Sequence, residues 1–508
     1  MKSKKDYIYK KIRDRQNFIP DDLDGSAVGQ NVIDGSFWSS TGLILDVLIS
    51  FVRSIILARI LAPADFGIVA LAAVFTQFIL IFANFGFTAS VIYYRNLTKE
   101  DISTCWWGNC IVDLTASLCC TGIAFFSTRF LTTPEAPYIV ALLSSQFFLA
   151  SLGSTSAALL QRLFKFKAIA LIKAIGALVS FVVTLSLVVI FDAGVYGLVY
   201  GGIAGTLCTT ILYLATLPWL PSLCASWRVA KKHLRYGGWF LGVNLVSYVN
   251  GNMDKAVIGG FLNNTQLGYF EYATRFPSMV VYDLGMVLNR VLFSAFSSLQ
   301  GNEENMRGLL KKLFRYNTLL IYPLLAGLAA VANDFTLVMY GEKWSAIILP
   351  MQILCIYGMV RVLTNPLYSL ANGIGKPNMP FKWALIALPL NAIVAYIMAK
   401  FYGLEGVAAT KVILTCYTLF TLGIELAFCL KISFLKLLFQ AIPAIFCSFL
   451  MLIFVFFTKN SLSSLIDIRL LLGIQILSGA SIYILSIRLF FLKDFNVIYN
   501  TLKGIIKK

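Results

Sequence analysis

Leu57-Ala58-Arg59-Ile60-Leu61-Ala62-Pro63-Ala64-Asp65-Phe66-Gly67 closes one long apolar run and opens the next. Ile258-Gly259-Gly260-Phe261-Leu262-Asn263-Asn264-Thr265-Gln266-Leu267-Gly268 stands between two further apolar runs in the same way, at an offset of 201. A second echo follows in each half. Gly194-Val195-Tyr196-Gly197-Leu198 resembles Gly403-Leu404-Glu405-Gly406-Val407, at an offset of 209. The matching order and near-constant offset predict a duplicated unit of six apolar runs. Six is even, so the two halves lie parallel in a membrane, an arrangement of transporters that place their substrate site between the halves.

The composition agrees. The chain has 508 residues, of which 58% are hydrophobic and 13% charged, against about 25% charged in a soluble domain. Mean hydropathy is +0.79. So few polar side chains leave a water-facing surface uncovered, which excludes a large soluble enzyme and a disordered chain. A membrane-crossing helix takes ~20 apolar residues, and fourteen such runs are read, from 37–61 to 469–491. They have helical length rather than the ~10-residue alternation of a membrane barrel. The expected fold is therefore an all-α integral membrane protein. Two pseudo-symmetric six-helix lobes would surround a central cavity, with two further helices after them. The expected parts are a polar, basic arm over 1–36, an N-lobe over 37–217 and a linker over 218–237. A C-lobe over 238–430, helices 13 and 14 over 431–493 and a basic tail over 494–508 complete the chain.

The excess of 42 Lys and Arg over 24 Asp and Glu follows from topology. With the N-terminus in the cytoplasm, 29 cations fall in cytoplasmic segments and six on the opposite side, as the positive-inside rule requires. The charge thus marks a membrane face and not a nucleic-acid partner. The arm 1–36 is polar, so no cleavable signal is expected and the first span directs insertion. The arm is a topology signal or a binder of anionic lipid. The ten cysteines show no framework and no CxxC pair, and Cys119 and Cys120 are adjacent, so most read as small buried apolar residues. No metal and no cofactor is expected. His233 is the single histidine. There is no nucleotide-binding GxxxxGK[ST] loop and no catalytic elbow. A transporter driven by an H⁺ or Na⁺ gradient is expected, and not an enzyme.

Ionisable residues inside the membrane mark function by default. Arg53 and Asp46 lie in the first span, Asp254 and Lys255 in the seventh, and Glu271, Arg275, Asp283 and Arg290 in the eighth. Glu271 and Arg275 are four apart and share a helix face. Tyr282, Asp283, Asn289 and Arg290 extend it, with Pro277 a kink on the way. Asn244, Asn250 and Asn252 add polarity to the seventh span. Arg53, Lys255, Arg275 and Arg290 are the candidate binders of a phosphate-bearing substrate, because a guanidinium fork matches phosphate. Asp254 and Glu271 orient those cations or hold the coupling ion. Asp113, Lys173, Arg361, Lys411 and Glu425 are intramembrane charges without an assigned face. Structural pairing is an even alternative for Asp113, Lys173, Lys411 and Glu425.

With these residues in place, Leu57–Gly67 resembles the "LAR-L-P-DFG" signature of bacterial polysaccharide flippases. Leu160-Gln161-Arg162 with Phe166-Lys167 is similar to their loop after the fourth span. So are Asn252-Met253-Asp254-Lys255-Ala256-Val257-Ile258-Gly259, Leu267-Gly268-Tyr269-Phe270, Tyr322-Pro323-Leu324-Leu325-Ala326-Gly327 and Tyr340-Gly341-Glu342-Lys343-Trp344 to later segments. The likeness covers residues 36–430, with weaker agreement beyond. It points to the colanic-acid-exporter type of lipopolysaccharide biosynthesis protein, in the multidrug/oligosaccharidyl-lipid/polysaccharide exporter superfamily. The resemblance implies a multi-pass protein of a bacterial inner membrane with both termini cytoplasmic. It implies alternating-access flipping of an undecaprenyl-diphosphate-linked oligosaccharide, with membrane lipids, a polysaccharide polymerase and glycosyltransferases as partners. Arg59 and the Asn252–Gly259 motif carry over by position. Two features depart from the pattern: the arm is longer than usual, and Glu271 stands where a neutral residue is expected. The rival readings are a drug/cation antiporter, which would need an acidic cavity, and an O-antigen polymerase or ligase, which would need a large outer loop.

Overall fold

The computed structural model describes residues 25–83, 87–88, 91, 97–126, 135–163, 165–217, 221–222, 226–283, 303–376 and 378–496. Among them there is no strand. Six helices come first: α1 (Gly25–Ile60), α2 (Pro63–Ala83), α3 (Lys99–Phe126), α4 (Ala136–Arg162), α5 (Phe166–Val189) and α6 (Gly194–Thr216). Then come α7 (Trp227–Phe261), α8 (Asn264–Ser278), α9 (Glu303–Met339), α10 (Ile348–Gly373) and α11 (Asn378–Cys429). Last are α12 (Ile442–Leu462) and α13 (Ile468–Phe490). Gly403, at φ +57°, breaks α11 into two arms. With that break the helix order is compatible with fourteen spans. Ten of the described helices are long and apolar enough to cross a membrane.

The two sequence echoes are two pieces of shared turn chemistry. At the first, the α2 N-cap is Ala62, and its N–H donates to the Asp65 carboxylate at 3.0 Å. At the equivalent turn the α8 N-cap is Asn263, whose side chain accepts from the Gln266 N–H at 2.8 Å. Positions 62 and 65 thus match 263 and 266, and each pair makes one half of a reciprocal capping box, with the roles reversed. Leu57 and Ile258, also 201 apart, are both buried. At the second echo, Gly194 and Gly403 have φ +51° and +57°, a left-handed conformation that glycine adopts without steric penalty. Three residues on, a Cβ on Gly197 would meet Val188 at 2.6 Å, and one on Gly406 would meet the Met398 carbonyl at 2.2 Å. The repeated glycines turn the chain and let the helix pass close to the one before it.

The chain forms two compact units, residues 1–260 and 261–508. In the first, α5 and α6 pack through small residues. A Cβ on Gly176 would stand 2.2 Å from the Thr209 side chain, one on Gly201 1.9 Å from Thr184, and one on Gly205 2.7 Å from Ser180. Small residues four apart let membrane helices approach where hydrophobic collapse gives no drive. Two apolar clusters serve opposite ends of this unit, one around Ile102, Leu159 and Leu160 and the other around Ile139, Val140 and Ala72.

In the second unit, α9, α10 and the second arm of α11 enclose Phe314, Leu367 and Leu422. The helices α12 and α13 are fastened to α9 at three heights. Asp334 accepts from Lys459 at 2.9 Å and from Gln475 at 3.0 Å. The Tyr483 hydroxyl donates to the Leu319 carbonyl at 2.6 Å. Arg315 makes a forked pair with Asp494 at 2.7 and 2.5 Å. The outer faces of α12 and α13 carry exposed Ile445, Phe449, Phe456, Leu470 and Leu477, the apolar surface that lipid requires.

Candidate functional site

Within the first unit, Arg53 projects from α1 to α5, where its guanidinium donates to the Ser180 hydroxyl at 3.2 Å. The small-residue face of α5 makes room for that approach. Ser180 thus serves two contacts, holding Arg53 on one side and packing under Gly205 on the other. Asp46, two turns earlier on α1, is exposed, as is Arg59 at the helix end. On α7, Asp254 is buried and Lys255 half-buried. Adjacent helical residues point about 100° apart, so these two face different surroundings. Asn252 donates to the Tyr248 carbonyl one turn back at 3.1 Å. The Tyr248 hydroxyl donates to the Val74 carbonyl of α2 at 2.7 Å, where the Phe78 ring lies 6.4 Å away.

Within the second unit, an aromatic box sets the angle of α8. The Tyr272 ring lies 4.1 Å from Trp344 and 5.1 Å from Tyr340. Phe276 meets Phe335 edge-on at 4.7 Å, and the Tyr269 hydroxyl donates to the Lys343 carbonyl at 3.2 Å. The Tyr340–Trp344 segment makes this possible because Gly341 turns at φ +94°. With Tyr272 fixed, Glu271 and Arg275 take set directions on the same helix. The Arg275 guanidinium lies 5.9 Å from the Tyr272 ring centroid. After Pro277, α8 widens into a π-turn over Met279–Asp283. Proline supplies no N–H and crowds the preceding turn, and the wider turn shifts the register by a residue. Regular α-helix therefore ends before Tyr282 and Asp283, whose side chains lie outside the described residues. Arg290 and Asn289 lie outside the described residues.

The structure also gives places to charges whose faces the sequence leaves open. Lys411, on the second arm of α11, holds its ammonium 5.5 Å from the Phe270 ring of α8 and 5.5 Å from the Tyr357 ring of α10. It therefore stands beside the residue that precedes Glu271. The Arg361 guanidinium lies 5.3 Å from the Tyr368 ring. Glu425 accepts from the Trp383 indole N–H and lies 3.9 Å from Lys382, a structural pairing at a helix end. Lys173 is exposed on α5, and Asp113 is half-buried midway along α3. Lys411 is, like Lys173 and Arg361, a cation that sequence reasoning did not assign. An intramembrane lysine is itself the signal, but its aromatic neighbours come from two other helices and share no pattern with it.

Two helical bundles built from one repeated set of turns, with Lys173, Arg361 and Lys411 on helices long and apolar enough to cross a membrane, have the make-up of a membrane transporter. The chain belongs to the polysaccharide biosynthesis protein family, whose pattern matches residues 56–349, more than half of it. It is 25% identical over 360 residues to the lipopolysaccharide biosynthesis protein WzxC of Escherichia coli (strain K12), covering 70% of this chain and 72% of that one. It is 24% identical over 368 residues to the teichuronic acid biosynthesis protein TuaB of Bacillus subtilis (strain 168), covering 70% and 74%. It is 24% identical over 352 residues to the succinoglycan biosynthesis transport protein ExoT of Rhizobium meliloti (strain 1021), covering 68% and 70%. Among solved structures, the lipid II flippase MurJ in an inward closed conformation matches with a TM-score of 0.70 at 17% identity, over 91% of this chain and 99% of that one. An inward-facing multidrug resistance transporter, of the MATE family and MOP superfamily, matches with a TM-score of 0.55 at 15% identity, over 79% and 94%. The all-α membrane fold expected from the sequence is the fold found, and the count of fourteen spans is compatible with it.

Proposed function

We propose that this protein carries an undecaprenyl-diphosphate-linked oligosaccharide across a bacterial inner membrane, by alternating access, for surface polysaccharide biosynthesis. The observation that carries this reading is the family match; the cations that the sequence expects within the membrane on α1, α7 and α8 support it. A diphosphate headgroup is drawn to Arg53, Lys255, Arg275 and Arg290, since cations in a low-dielectric cavity attract anions strongly. The lobes over 37–217 and 238–430 rock about that site while the lipid tail stays in the bilayer. Asp254 and Glu271 orient the cations or bind the coupling H⁺ or Na⁺. The concentration of Lys and Arg in alternate loops places both termini in the cytoplasm. A polymerase and glycosyltransferases of the same pathway are the partners.

Complementation tests it. The chain, expressed in a flippase-null strain, restores polymer export. Arg275→Ala and Arg290→Ala, at normal expression, each lower it. Full export by both variants removes the cavity assignment. Failure of the parent chain with any offered repeat unit, together with drug efflux, favours the antiporter reading.

A further inference from the structure

Asp113 sits midway along α3, about 20 Å from either end at the helical rise of ~1.5 Å per residue. It belongs to a row at four-residue spacing: Asn109, Asp113, Ser117 and Thr121. The other three members reach α4. Asn109 donates to Ser154 at 3.1 Å and to Thr88 at 3.3 Å. Ser117 and Thr121 each meet Ser144 at 3.3 Å. Between these rungs, Ser151 contacts the Cys110 thiol at 3.6 Å. The carboxyl therefore stands at the centre of a ladder of neutral polar groups.

Among the described residues, no cation reaches it from the helices packed there. Those helices are α4 and α2. The only ionisable residues on α4 are Tyr138 and Arg162, at its ends, and on α2 only Asp65, in its first turn. Arg162 is engaged with the Val91 carbonyl at 2.8 Å. On α3 itself the charged groups are Lys99, Glu100 and Asp101, with Lys99 fourteen residues away, and Cys110 is the nearest ionisable neighbour. Glu271 differs in kind, because Arg275 lies one turn from it on the same helix face. A nearby cation favours the carboxylate. A carboxyl inside the membrane without one is held most cheaply as the neutral acid.

We propose that Asp113 is a proton-binding site of the first bundle, and that its proton is the one coupled to transport. This rests on the transport reading above. When water reaches α3 from one side, the carboxylate oxygen takes a proton and forms one O–H bond. When water reaches it from the other side, that bond breaks and the proton leaves. Glu271 then acts as the partner of Arg275.

Dicyclohexylcarbodiimide, which modifies protonated carboxyls in apolar surroundings, tests the site on the full-length protein in lipid nanodiscs. Peptide mapping is expected to find the adduct on Asp113, declining as the buffer is made alkaline and missing in Asp113→Asn. No adduct on Asp113 at any pH, or one indifferent to pH, overturns the proposal. In the flippase-null strain, Asp113→Asn is expected to lose export and Asp113→Glu to keep it. Export by Asp113→Asn at the parent's level refutes coupling while leaving the transport reading intact. If the parent chain itself restores nothing, the transport reading fails and labelling alone judges the proton site.

Discussion

Replacing Lys459 with Met isolates the anchor that holds the last two helices on α9. The Asp334 side chain is 4% exposed and that of Lys459 31%, with 2.9 Å between the charged atoms. Gln475 and Asn333 donate to the same carboxylate, each at 3.0 Å. Removing the lysine leaves a buried anion with two neutral donors. For a fully buried pair the loss is about 3–5 kcal/mol, and for an exposed pair about 0–1 kcal/mol. With one partner buried and the other a third exposed, the expected loss for Lys459→Met is roughly 2 kcal/mol, between those limits. The second variant, Asp334→Asn with Lys459→Met, removes the charge and keeps a hydrogen-bonding partner for Gln475. It is expected to regain most of the loss. Thermal melting of the detergent-solubilised chain, followed by its monodisperse fraction, reads the order: parent and double variant together, Lys459→Met below. If Lys459→Met melts with the parent, or the double variant melts lowest, the lysine does not compensate a buried charge here and the reasoning fails.

Gly201→Leu is expected to prevent assembly of the first unit, because even its Cβ would lie 1.9 Å from the Thr184 hydroxyl and 2.9 Å from the Ser180 carbonyl. Gly473→Ala, with nothing near its Cβ, is expected to fold as the parent does, and yields of folded protein compare the two. Gly403→Ala forces a side chain onto φ +57° and is expected to lower stability by about 1–2 kcal/mol, seen as a lower melting temperature. Lys411→Met removes two cation–aromatic contacts beside Glu271, each about 0.5–2 kcal/mol. It is expected to impair export more than expression, and equal falls in both would mark Lys411 as structural.

Much of the fold was legible because its repeat is written in turns. Capping groups and left-handed glycines act over three or four residues, so their chemistry survives in the string itself. Ala62 with Asp65 and Asn263 with Gln266 could be aligned before their bonds were known. The C-terminal fastening was not legible. Asp334, Lys459 and Gln475 come from three helices, and no local pattern pairs residues 125 and 141 apart. Helix lengths were blurred for a related reason. The expected span 313–332 is the apolar middle of α9, which runs from Glu303 to Met339. Hydropathy reports the part in lipid and not where hydrogen bonding stops.

The intramembrane charges show where sequence periodicity gives out. Spacing placed Glu271 and Arg275 on one face correctly, since α8 is regular up to Ser278. It then carried that face on past Pro277, where regular α-helix gives way to a π-turn over Met279–Asp283. A composition rule was equally blind to partners. It grouped Glu425, which is tied to Trp383 and Lys382, with Asp113, whose packed neighbours α2 and α4 offer no mid-membrane cation. The two carboxyls look alike in the sequence, and only the surroundings separate an ion-pair strut from a group able to trade its proton. For a carrier with one histidine, that distinction decides where protons are handled. Charge inside the membrane is therefore informative about transport only after each cation has been matched to its anion. The carboxyl left over, rather than the densest cluster, is where coupling is best sought.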